Sequence, residues 1–212
     1  MNKKNSAANL FIAVIALIAW FALILQLYIM ISSASVNHLT KLQATGRFFA
    51  FYTILTNLLV AINLTAILLF PRSAIGKFFV QASPAAATAV YILIVGIIYN
   101  FLLRQLWKPE GWQKIADELL HVIVPLLYIL YWGFLASKKG LQWKNIIQWL
   151  TYPLLYFIYM LIRGAVEGFY PYPFLNVKEL GYTHAFLNAG GMIILFVITG
   201  FIFIAIARRR SV

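Results

Sequence analysis

Cysteine is absent from this 212-residue chain, and aspartate and glutamate together occur only five times. The first absence excludes a thiolate nucleophile, disulfide staples and cysteine-bound metal. The second bears on solubility, because an ordinary soluble domain carries about 25% charged residues. This chain carries 10%, against 63% hydrophobic residues. Extended polar stretches are also missing, so no soluble domain is expected and residues 1–212 read as a single integral membrane domain.

What fills the chain instead is a series of long apolar runs separated by short polar punctuation. Crossing roughly 30 Å of hydrocarbon at 1.5 Å per residue takes about 20 residues. Six runs qualify, at about 8–32, 47–70, 84–107, 117–137, 147–168 and 185–207. The expected fold class is therefore all-α, a polytopic membrane protein with six transmembrane helices in a compact bundle. The first run is too long and too evenly apolar for a signal-peptide core and lacks a convincing cleavage pattern, so it reads as a retained helix. The net charge of +12 points to basic flanks meeting anionic headgroups; membrane lipids are the expected partners and nucleic acid is not.

An even number of spans puts both ends on one side. That side holds ten of the seventeen Lys and Arg residues; the other holds seven, together with all five acids. The positive-inside rule then assigns both termini to the cytoplasm, and the acids, His121 and His184 to the outer face of a cell membrane. Trp107, Trp112, Trp132, Trp143 and Trp149, with Tyr170 and Tyr172, fall near the proposed interfaces and read as anchors. Gly96, Gly190 and Gly191, inside spans, read as points of close helix approach.

Polar side chains collect in the outer halves of the spans. Thr53, Thr56 and Asn57 share one face of span two, and Asp117, Glu118 and His121 open span four. Counted from span starts at residues 47 and 117, Thr53 and His121 descend about 9 and 6 Å, which places them at similar depth. Tyr99, Asn100 and Arg104 on span three, Arg163 and Glu167 on span five, and His184 and Asn188 on span six join the same layer. Each has a structural reading when taken alone: back-bonding for a threonine, helix pairing for a histidine, dipole complementation for acids at a helix start. Convergence of polar and ionisable groups from five spans on one depth points to a functional site.

With no cysteine, and no serine deep in the outer half of a span, the available nucleophile is a threonine hydroxyl. It needs a base, and His121 carries the side chain that ordinarily titrates near neutrality. Asp117 or Glu118 would orient the imidazole, and Asn57 or Asn188 would hold an oxyanion. Metal ligation by His121, His184 and Glu118 or Glu167 lacks a supporting spacing, and no metal or cofactor is expected.

Three segments resemble a known family. Phe51-Tyr52-Thr53-Ile54-Leu55-Thr56-Asn57, Glu118-Leu119-Leu120-His121-Val122-Ile123-Val124-Pro125 and Tyr170-Pro171-Tyr172-Pro173-Phe174-Leu175-Asn176 look like the bacterial Pr6Pr membrane proteins. More remotely, they are similar to the androgen-induced and androgen-dependent TFPI-regulating proteins. The animal relatives are multi-span threonine hydrolases that cleave fatty acid esters of hydroxy fatty acids with a threonine and a histidine. The resemblance implies Thr53 as nucleophile and His121 as its partner, with Thr56 as the alternative nucleophile, acting on a lipid ester substrate. Two rivals use the same polar layer: a non-catalytic lipid or small-molecule binding protein or transporter, and an assembly partner whose polar groups only lock helices together.

Overall fold

The computed structural model describes residues 3–106 and 108–209. Trp107 therefore lies outside the described residues. Helix α1 (Lys3–Ser32) is followed by the short α2 (Lys41–Phe48) and by α3 (Tyr52–Leu69). A second short helix, α4 (Ala74–Phe79), leads into α5 (Ala82–Ile98), which runs on through a π-helical turn at Tyr99–Leu103. The next crossing is composite: α6 (Gly111–Glu118), a π turn at Leu119–Ile123, and α7 (Val124–Phe134). Then come α8 (Asn145–Trp149), α9 (Thr151–Glu167) and α10 (Val177–Arg209). Six of these segments are long and apolar enough to cross a membrane, and the chain is an all-α, multi-pass membrane protein.

The second span begins later than the hydrophobic run suggests. Residue 47 belongs to α2, which is closed at its start by a capping box: Thr40 Oγ1 accepts from the Gln43 N–H, and the Gln43 side chain accepts from the Thr40 N–H. The chain then extends at Phe51 (φ −83°, ψ 127°) before α3 starts. Thr53 is thus the second residue of its helix, not the seventh. Span six differs in a similar way. It is broken at Gly181, whose φ of 73° no helix accommodates.

The π turn in span four has a local cause. Pro125 has no N–H and its ring crowds the carbonyl four residues back. The preceding N–H, of Val124, reaches five residues back to the Leu119 carbonyl instead of four. That shift strips the Leu120 carbonyl of its helical donor, and Asn57 Nδ2 of α3 supplies the replacement at 3.1 Å. The same amide nitrogen donates to the Thr53 carbonyl at 2.9 Å, so one side chain ties the two site-bearing helices together.

Helices in a bilayer gain little from hydrophobic burial against one another, and association rests on close packing and interhelical hydrogen bonds of about 0.6 kcal/mol each. Such bonds recur here. Trp20 Nε1 donates to Thr65 Oγ1 at 3.0 Å, Asn63 Nδ2 to the Tyr128 hydroxyl at 2.8 Å, and the Tyr91 hydroxyl to the Trp149 carbonyl at 2.6 Å. Leu64, Ile92, Tyr128 and Ile204 are fully buried between the helices, whereas Leu17, Ile24, Leu155, Ile162 and Ile202 form an exposed apolar belt of the kind a lipid phase covers.

Two expectations need correcting. Trp132 and Trp149 are not interface anchors: Trp132 packs on Phe203 with ring centroids 4.4 Å apart, and Trp149 Nε1 donates to Ser83 Oγ at 3.0 Å. Trp112 and Trp143 are exposed, as anchors must be. Of Gly96, Gly190 and Gly191, the three read as points of close helix approach, Gly96 alone is one. A Cβ there would lie 3.3 Å from the His121 carbonyl oxygen, whereas at Gly190 and Gly191 it would meet nothing within 4 Å.

Candidate functional site

The close approach at Gly96 sets the two π turns against each other. Their facing side chains are Tyr99 and His121, whose rings stack with centroids 3.9 Å apart and planes inclined by 14°. Asp117, buried one turn before the histidine, joins both: its carboxylate accepts from the Tyr99 hydroxyl and stands 3.2 Å from His121 Nδ1. The Asp117 main-chain oxygen lies 2.9 Å from the same Nδ1. A carbonyl oxygen only accepts, so Nδ1 carries the hydrogen in the neutral ring and Nε2 keeps the lone pair. This is the tautomer that a general base requires.

Thr53 approaches from the start of α3. The first i→i−4 bond of that helix runs from Leu55 to Phe51 at 3.2 Å, which leaves earlier N–H groups without intrahelical acceptors. One of them, from Thr53, donates to the Tyr172 hydroxyl at 3.3 Å, and the same phenol oxygen is 3.5 Å from Thr53 Oγ1. Tyr172 descends from the loop between α9 and α10 and is buried, stacked on Phe174 at 5.4 Å. Burial pushes its phenol up from the ordinary value, against the smaller influence of the bonds to Thr53. Tyr172 is therefore a protonated donor at neutral pH, beside a hydroxyl at the positive end of a helix.

Thr53 and His121 line one cavity of about 460 Å³. They do not bond directly, since the hydroxyl faces Tyr172 and the imidazole is held by Asp117. Around the same cavity stand Tyr99, Asp117, Tyr172, Gln26, Ser33 and Gln113. Gln113 Nε2 donates to Gln26 Oε1 at 2.8 Å, joining α6 to α1 at its wall. Gln26 and Tyr172 escape the reading of polar patterns, although Gln26 carried a signal as the amide deep within the first apolar run.

Other residues of the polar layer take different places. Thr56 is fully buried and bonds the Tyr152 hydroxyl at 3.1 Å, outside the cavity. Asn57 is buried behind the site as the tie between α3 and the π turn, and its Oδ1 has no hydrogen-bond partner. Asn100 donates back to the Gly96 carbonyl at 2.8 Å. Arg104 and Glu118 form an ion pair that bridges the end of one π turn and the start of the other. Arg163 pairs with Glu167 on α9 and donates to the Tyr159 hydroxyl at 3.2 Å, which itself donates to the Phe49 carbonyl at 3.2 Å. These two buttress the link between α2 and α3. His184 lies on the exposed side of α10, and Asn188 donates to the Phe174 carbonyl at 2.8 Å, holding the loop that carries Tyr172. Among the described residues no three His, Asp or Glu side chains form a metal-binding group.

Neither models of known protein families, nor curated proteins, nor solved structures match this chain.

Proposed function

We propose that this protein is an intramembrane hydrolase of fatty-acyl esters, with Thr53 as nucleophile and His121 as base. One observation carries the reading. A threonine hydroxyl at a helix N-terminus and a histidine held in the base tautomer face the same cavity in a membrane-embedded bundle. In the first step Thr53 Oγ attacks the ester carbonyl carbon while Nε2 of His121 takes the hydroxyl proton. The Tyr172 O–H, at the positive end of α3, stabilises the oxyanion. Collapse breaks the bond to the alcohol, which leaves with the proton from His121. Water then attacks the acyl-threonine by the same proton route, releasing the carboxylic acid and restoring Thr53.

The resemblance to the Pr6Pr and TFPI-regulating proteins supports this reading and extends it to fatty acid esters of hydroxy fatty acids. A fluorophosphonate probe tests it. The purified protein is expected to gain a covalent adduct on Thr53 that disappears in Thr53→Ala. An adduct on Thr56 would move the nucleophile, and no threonine adduct would sink the hydrolase. A second reading, a lipid-binding protein or transporter, draws on the mainly apolar lining of the cavity and on Thr53 and His121 each bonding a different partner.

For the orientation we propose cytoplasmic termini with the site toward the outer leaflet, on the strength of the Lys and Arg bias. The cysteine-free chain makes the test simple. A single cysteine at position 140 should resist an impermeant maleimide in intact cells, and one at position 176 should react; the opposite pattern reverses the topology.

A further inference from the structure

A second cavity, of about 320 Å³, lies beyond Thr53, Tyr99, Leu103 and Tyr172, which line both spaces. Its walls come mainly from α5, α9 and α10, and its hydroxyl groups are those of Thr53 and four tyrosines; no charged or amide side chain lines it. Leu154 of α9 and Phe186 of α10 frame it and are 41% and 52% exposed. Both lie on the surface that lipid covers, so the cavity opens sideways between these helices. Gly190 forms part of its wall, and a Cβ built there meets nothing within 4 Å. The glycine is not there to bring two helices together. Its effect is to leave space, and a space this apolar offers water few partners.

We infer that this cavity is a lateral port that takes one fatty-acyl chain from the bilayer and lays its carbonyl end against Thr53, with Gly190 keeping the port open. The fit is chemical: hydrocarbon walls reach the lipid phase at one end, and the hydroxyl seam of Thr53 and the tyrosines closes the other. The inference deepens the hydrolase reading and rests on it only for what happens to the carbonyl once it arrives. It also divides the labour of the two cavities. The acyl chain occupies the port, and the alcohol part of the ester occupies the amide-lined space of Gln26 and Gln113, from which it leaves.

A long-chain fatty acid bearing a diazirine at its methyl end tests the port without requiring hydrolysis. Full-length protein in phosphatidylcholine nanodiscs is irradiated with this probe, and adducts are mapped by mass spectrometry. Wild type is expected to carry them on Phe157, Phe186, Met192 and Ile193. Gly190→Leu should lose about tenfold of that labelling, the equivalent of about 1.4 kcal/mol. Gly191→Leu, one residue along and outside the cavity lining, should label like wild type. Adducts spread evenly over belt residues such as Leu17 and Ile24 in wild type would overturn the port by themselves, whether or not the variants fold. Undiminished labelling of Gly190→Leu would do the same. Turnover separates this outcome from the fate of the hydrolase. Port labelling without ester cleavage keeps the port and removes the enzyme, and cleavage without port labelling does the reverse.

Discussion

Thr53→Ala is expected to lower long-chain ester hydrolysis by about 10²–10⁴-fold, and His121→Ala by a similar factor. The double variant should lose no more than either single one. Hydroxyl and imidazole act in one proton transfer, so removing one partner leaves the other with nothing to do. Asp117→Asn should be milder than His121→Ala. Its main-chain oxygen, 2.9 Å from Nδ1, still holds the imidazole in the base tautomer, and only the carboxylate's stabilisation of the imidazolium is lost. Initial rates on purified, folded protein decide the matter. Additive losses in the double variant, or full activity in either single one, would remove the catalytic pair and leave the lipid-binding reading.

Gly164→Ala should damage the site from a distance. A Cβ at position 164 would stand 2.1 Å from Cε1 and 2.2 Å from Cζ of Tyr170, in the middle of a ring rather than at a flexible tip. Overpacking of this kind costs about 1–3 kcal/mol. Because Tyr170 and Tyr172 belong to one short loop, the displacement reaches the phenol above Thr53. The expected result is a lower unfolding midpoint together with reduced turnover. Gly191→Ala, where the added methyl meets nothing within 4 Å, should change neither. Equal melting temperatures for Gly164→Ala and wild type would show that the Tyr170 ring moves aside freely and that the loop does not transmit the change.

The six crossings were legible because a bilayer imposes one requirement on the backbone, internal hydrogen bonding over a fixed thickness, and the apolar runs state it directly. Their ends were less so. Hydropathy does not register the capping box at Thr40, which closes off a separate short helix and moves the start of span two from residue 47 to Tyr52. The depth matching of Thr53 with His121 rested on that misplaced start. Span four also starts earlier than its apolar run, at Gly111, so counting from span ends does not account for the cavity that the two residues nonetheless share.

By itself the sequence determined the class of the molecule and the composition of its polar layer, since charged and amide groups are expensive in hydrocarbon wherever the chain places them. Which of those groups face each other was decided only by tertiary structure. Pro125 announces a disturbed helix, yet the π turn before it acquires its meaning from Gly96, Asn57 and Tyr99 on other helices, tens of residues away. Arg163, Glu167, His184 and Asn188 have the same chemistry as the residues around the cavity, and packing directs them to the rim and the loops instead. Tyr172 shows the converse: an aromatic in a proline-rich loop reads as an interface anchor, until the fold of that loop buries it against Thr53. Residue type records what a side chain can do, and the helix faces and loop paths that bring partners within 3 to 4 Å are set by contacts between segments far apart in the chain.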